Sequence, residues 1–115
     1  MDIYLKLPGH AGASVRRGYR HWLEVQQLLF DRPLLEKDAA AFTIFKTPDA
    51  LSSVLMGLRR SGKAFSRVRV HQVEGSEALG RLRFDQVRVS GFTIDGAGDL
   101  AMECVQFSAK RWQPE

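Results

Sequence analysis

The sequence predicts a mainly β fold: an antiparallel β-barrel or sandwich with one α-helix, about Pro48 to Arg60, packed against it. Three observations carry this. Runs near both ends alternate apolar and polar residues, one central run repeats its apolar residues at helical spacing, and Gly-rich turns separate the later runs. At 115 residues the chain forms a single domain, 1–115, large enough to bury one core and too small for two.

Asp2 to Leu7 alternates, with Ile3, Leu5 and Leu7 on one side, and Pro8-Gly9 ends it: a half-buried strand. The stretch GHAGASVRRG is Gly-rich, then basic, without apolar periodicity, and reads as a loop. The next run, YRHWLEVQQLLFDR, fits two templates. Tyr19, Trp22, Val25 or Gln26 and Leu29 make a helical stripe, whereas Leu23, Val25 and the aromatic flanks suit a strand, and local pattern alone favours the helix.

Phe42 to Phe45 is a short strand. Thr47-Pro48-Asp49 follows as a helix entry, with Thr47 as N-cap, Pro48 at the first helical position and Asp49 at the positive end of the dipole. Leu51, Val54, Leu55 and Leu58 then form one apolar face; Arg59 and Arg60 fall in the last turn and Gly62 suits a left-handed cap. Strand-like runs follow at 65–73, 81–94 and 100–112, joined by EGSEALG and DGAGD. Within 81–94 the apolar phase slips by one residue at Asp85-Gln86, which predicts a β-bulge. The last run is partly apolar on both sides, Val105 and Phe107 on one and Met102 and Cys104 on the other, so both of its faces need cover.

No apolar run approaches the roughly 20 residues of a membrane span. The first residues lack the pattern of a cleaved signal peptide. Cys104, the one cysteine, excludes an intrachain disulfide and a multi-cysteine metal site. Together these predict a cytoplasmic protein, or one secreted without a cleaved signal peptide. The formal charge of +4, mostly from arginine, permits an acidic partner without requiring one.

Catalytic motifs fail on inspection. Gly57 to Ala64, GLRRSGKA, meets G-x-x-x-x-G-K, but its glycines follow a helix rather than a strand, and Ala64 has no hydroxyl for magnesium. His10, His21 and His71 show no metal-ligand spacing, and no G-x-S-x-G elbow sets a nucleophile beside a base. Cys104, mid-strand, reads as a buried, inert thiol. The sequence therefore predicts no catalytic, metal or cofactor site and no cofactor. One polar feature stands out: if the strands on either side of EGSEALG pair, Arg67, Arg69, Arg81 and Arg83 share a face with His71. That face is solvated, lines a water-filled channel, or binds nucleic acid. The last version is weakened by the scarcity of aromatics among the arginines.

Read in order, DIYLKLPGHAGAS, WLEV, FTIFKTPDALSSVLMGLRRSGKAF and FDQVRVSGFTIDGAGDLAMECVQF resemble the Hcp family, the tube proteins of bacterial type VI secretion systems. The most specific parts are the F-x-x-x-K run entering the helix, Phe42 to Lys46, with its Gly-Lys exit, and the closing E-x-V-x-F strand of Glu103, Val105 and Phe107. The resemblance implies a β-barrel with one helix, a homo-hexameric ring that stacks into a conduit for effectors, and no enzymatic activity. It also implies that WLEVQQLLF is a strand. Partners would be the chain itself, other secretion-apparatus proteins and effectors, with subunit contacts expected at Pro33, Leu34 and Leu35 and at an edge strand bearing Val105 and Phe107. The connection RPLLEKDAAA departs from the family by being shorter. A related contractile tail-tube component fits the same resemblance, and a small basic β-barrel binding nucleic acid through the arginine face is the alternative.

Overall fold

A computed structural model describes residues 1–31, 34 and 39–115. Seven strands and one α-helix follow in the order β1 (Asp2–Lys6), β2 (Leu23–Val25), β3 (Gln27–Phe30), β4 (Ala40–Lys46), α1 (Ser52–Ser61), β5 (Phe65–Glu74), β6 (Glu77–Asp95) and β7 (Met102–Pro114). All strand pairs are antiparallel, in the spatial order β2-β1-β5-β6-β7-β4-β3.

The run that fitted two templates is extended, as the resemblance implied. It forms two strands rather than one. Residues 23–25 pair with β1 and residues 27–30 with β4, so consecutive residues occupy opposite ends of the sheet. Gln26 is the corner: its N–H donates to the Phe45 carbonyl at 2.8 Å, and its side-chain Oε1 accepts from the Thr47 N–H at 3.0 Å. The sheet thereby curls into a nearly closed barrel around Leu5, Leu23, Phe42, Ile44, Val68, Val70, Phe84, Val87, Val105 and Phe107. Phe42 is the hub, 4.4 Å from Phe84 and stacked on Phe107 at 5.1 Å between ring centres.

The helix begins later than the sequence suggests. Thr47-Pro48-Asp49 lies ahead of it, Leu51 is the N-cap residue, and no side chain caps it. Asp49 instead closes a local turn, its Oδ1 accepting the Leu51 N–H at 2.9 Å. A Thr-Pro-Asp entry thus makes a turn that starts one helical turn early. The other end agrees with expectation: Arg59 and Arg60 occupy the last turn, and Gly62 takes φ 66°, ψ 15° while its N–H donates to the Leu58 carbonyl. Leu51, Leu55 and Leu58 are buried against the barrel, each contributing about 1.5–3 kcal/mol.

The phase slip is real but is not a bulge at Asp85-Gln86. Arg67 pairs with Asp85 and Phe65 with Val87 at the same offset, because both strands change face together. Gln86 permits this with φ 53°. Adjacent β7 does likewise between Ala109 and Trp112, which pair with Val87 and Phe84 and pack on the same core. The register shifts lie elsewhere, between Gln72 and Val73 and between Val89 and Gly91. No helix of the described residues is long and apolar enough to cross a membrane.

Candidate assembly surfaces

The two motifs that carried the resemblance meet in space. Lys46, the last residue of β4, pairs in register with Glu103 near the start of β7. Both side chains are buried, and Lys46 Nζ lies 2.5 Å from Glu103 Oε1. Three donors on the ammonium face three acceptors: Glu103, Asp49 Oδ1 at 3.1 Å and Ser52 Oγ at 3.5 Å. The Ser52 hydroxyl in turn donates to Glu103 Oε1 at 2.8 Å and accepts the Asp49 N–H at 3.0 Å. This network joins two barrel strands to the first turn of α1. Satisfied in this way, the two charges can stay buried.

β7 is not an edge strand. It lies between β6 and β4, and Val105 and Phe107 point into the barrel with at most 1 % of their surface exposed. They therefore offer no subunit contact, contrary to expectation: their apolar face is covered by the chain's own core. Leu34 is half-buried against that same core, while Pro33 and Leu35 lie outside the described residues. Cys104 is likewise not buried; it is half-exposed on the outer face of β7.

That outer face is low in charge. Strand register gives two cross-strand rows, Gln27–Phe45–Cys104–Thr93 and Leu29–Thr43–Gln106–Gly91, running over β3, β4, β7 and the second half of β6. Neither row holds an ionisable group except the thiol. Among the described residues charge returns at the borders, at Asp31 beside Ala41, at Arg88 opposite Ser108 and at Asp95 opposite Met102. Leu29 is 47 % exposed on this surface. Gly91 lets the Gln106 amide lie flat on the sheet, since a Cβ there would clash with Gln106 Oε1.

The arginine face forms on a different wall. Arg69 lies opposite Arg83, and Arg81 opposite His71, with Arg67 on the same side facing Asp85. These four share a face as the sequence predicts, yet the face is partly neutralised. Arg83 Nε is 3.4 Å from Asp85 Oδ1, and Arg69 forks onto the Glu115 carboxylate, with Nε 3.0 and 2.9 Å from its two oxygens and Nη2 also donating. His71 is buried beneath Tyr19 and Trp22, its Nε2 3.0 Å from Glu115 Oε1 and its Nδ1 3.0 Å from the Tyr19 hydroxyl. A carboxylate only accepts, so Nε2 carries the proton and Nδ1 accepts from Tyr19. The Arg69 hydrogen bonds hold the Glu115 carboxyl down at about 2, while burial pushes the His71 pKa below its ordinary value against the pull of Glu115. Sequence reasoning missed Tyr19, Trp22 and Glu115 as cover for this face. The available signal was the cluster of aromatics at the end of a loop otherwise poor in apolar residues.

No protein-family model and no curated protein matches the sequence. Solved structures do. Hcp2 from Salmonella typhimurium superposes with a TM-score of 0.82 at 17 % identity, over 95 % of this chain and 81 % of that one. A type six secretion system protein gives 0.81 at 21 % identity over 98 % and 82 %, and the secreted protein Hcp3 from Pseudomonas aeruginosa 0.76 at 15 % over 96 % and 87 %. The arrangement of seven strands and one helix described above is the fold of the Hcp proteins.

Proposed function

We propose that this chain is a non-enzymatic structural subunit of a type VI secretion tube, assembling with copies of itself into a homo-hexameric ring that conducts effectors. The observation that carries the reading is the agreement in fold with Hcp proteins along nearly the whole chain. The uncharged face of β3, β4, β7 and β6 is the wall that lines the channel: two rows free of formal charge suit a surface past which many different polypeptides must slide without sticking. The arginine face, on the other wall and partly ion-paired through Arg69 and Arg83, then faces outward. Nothing observed favours nucleic-acid binding through it.

Size exclusion with light scattering tests assembly, and negative-stain microscopy tests shape. Annular particles of six subunits are expected. A strict monomer across micromolar concentrations would refute the ring. Cys104 tests the orientation of the wall: a bulky maleimide should react with it in monomer and be slowed in the ring, whereas unchanged labelling would place that face outside.

A further inference from the structure

The carboxylate of Glu115 sits in a receptor whose parts are held in place without it. Three N–H groups converge on its oxygens, from Arg69 Nε, Arg69 Nη2 and His71 Nε2. Each donor is oriented by something other than the carboxylate. The Arg69 guanidinium lies over the Trp22 ring at 5.1 Å, and His71 is fixed by the Tyr19 hydroxyl and packed at 4.8 Å from Trp22. Tyr19 in turn stacks on Tyr4 at 4.6 Å and meets Trp22 edge-on at 5.0 Å. The donors stand on β5 and the aromatics on the segment before β2 and on β1. The occupant comes from elsewhere: Glu115 is an exposed residue following Pro114, tethered by its N–H to the Arg81 carbonyl at 2.9 Å.

We propose that Arg69, His71, Tyr19 and Trp22 form a binding site for a carboxylate group, supplied by an acidic side chain of a partner polypeptide or by a small organic acid, which Glu115 occupies in competition. A planar guanidinium fork beside an imidazole N–H matches two coplanar oxygens, and a stacked arginine loses less freedom on binding than a lysine. The 5 % exposure of His71 keeps the imidazole largely out of water, which strengthens its hydrogen bond. Withdrawing Glu115 leaves the contacts among Tyr4, Tyr19, Trp22, Arg69 and His71 untouched, so the empty receptor keeps its shape. As a tethered ligand, Glu115 competes at an effective concentration of the order of millimolar. The site therefore disfavours weak free acids relative to a ligand that also binds the surrounding surface. This inference does not depend on tube assembly.

The test vacates the site with Glu115→Ala, and separately with Glu115→Gln, and follows the His71 ring signals by NMR during titration at low salt. Acetate and a blocked glutamate-containing peptide are the two probes, and sulfate is the control. Both variants should bind acetate in the millimolar range, at least about 2-fold more tightly than the parent chain, because a competitor at millimolar effective concentration occupies about half of a site of millimolar affinity. Adding Arg69→Lys to either should cost a further factor of about 10. Peptide binding well tighter than acetate identifies a protein-borne ligand, and equal binding a free acid; either supports the site. The proposal is overturned if the vacated variants ignore both carboxylates up to about 100 mM, take sulfate equally well, or lose the Tyr19–His71 contact.

Discussion

Lys46 Nζ and Glu103 Oε1 lie 2.5 Å apart, both side chains at most 2 % exposed, where β4 and β7 meet the start of the helix. A pair this deep recovers its desolvation cost only while both partners are present. Lys46→Met should therefore cost about 3–5 kcal/mol in urea unfolding, by leaving Glu103 buried with no cation and only the Ser52 hydroxyl as donor. Lys46→Met with Glu103→Leu should return to within about 1 kcal/mol of the parent or exceed it. If the double variant is as unstable as the single, the network contributes more than charge pairing.

Acid stability should follow two separate windows. Glu115 has its carboxyl lowered from 4.5 to about 2, so the unfolded chain takes up the proton first; its stabilisation is complete above about 4.5 and is lost as pH falls toward 2. His71 is also lowered, from 6.5, so its contribution is complete above 6.5 and declines on acidification below that value. Glu115→Gln should melt a few degrees lower at neutral pH and show a flatter profile between 4.5 and 2. A parent-like slope there would remove Glu115 from the account.

Two glycines should differ in what Ala does to them. At Gly12 a Cβ would lie 2.5 Å from the Trp22 carbonyl oxygen and 2.6 Å from the Leu23 nitrogen, backbone atoms that cannot step aside. Gly12→Ala should displace the segment that carries Trp22, lower stability by about 2 kcal/mol or more, and shift Trp fluorescence. At Gly91 the obstacle is the Gln106 side chain, so Gly91→Ala should be milder and be relieved by adding Gln106→Ala.

Gly62 caps the helix at φ 66°, and Gly62→Ala should cost about 1–2 kcal/mol by chemical denaturation. In the same assay, Phe42→Ala at the barrel hub should cost about 3–5 kcal/mol. A reversed order would mean that the core refills the space left by Phe42.

What the sequence made legible follows from range. Leu51, Val54, Leu55 and Leu58 announce a helix because their partners are one turn away, and Gly62 announces its end for the same reason. The pairing of Lys46 with Glu103 is 57 residues apart and was visible only as two motifs. Residues 23–30 misled local pattern because each half answers to a different neighbour: β1 on one side of Gln26, β4 on the other. Val105 and Phe107 were correctly read as needing cover, but nothing in β7 itself says that the core enclosed by the curled sheet provides it. Glu115 carries no local signal at all, since its partners are 44 and 46 residues away.

The corner at Gln26 also has a mechanical meaning. Because residues 23–25 and 27–30 are one continuous stretch at the two ends of the strand order, the hoop around the core is completed there by covalent bonds rather than by a ladder of hydrogen bonds. Tension around the circumference cannot part the wall at that point. A molecule pulled sideways must fail first between two hydrogen-bonded strands, whereas a single proteolytic cut beside Gln26 would turn the hoop into an open strip.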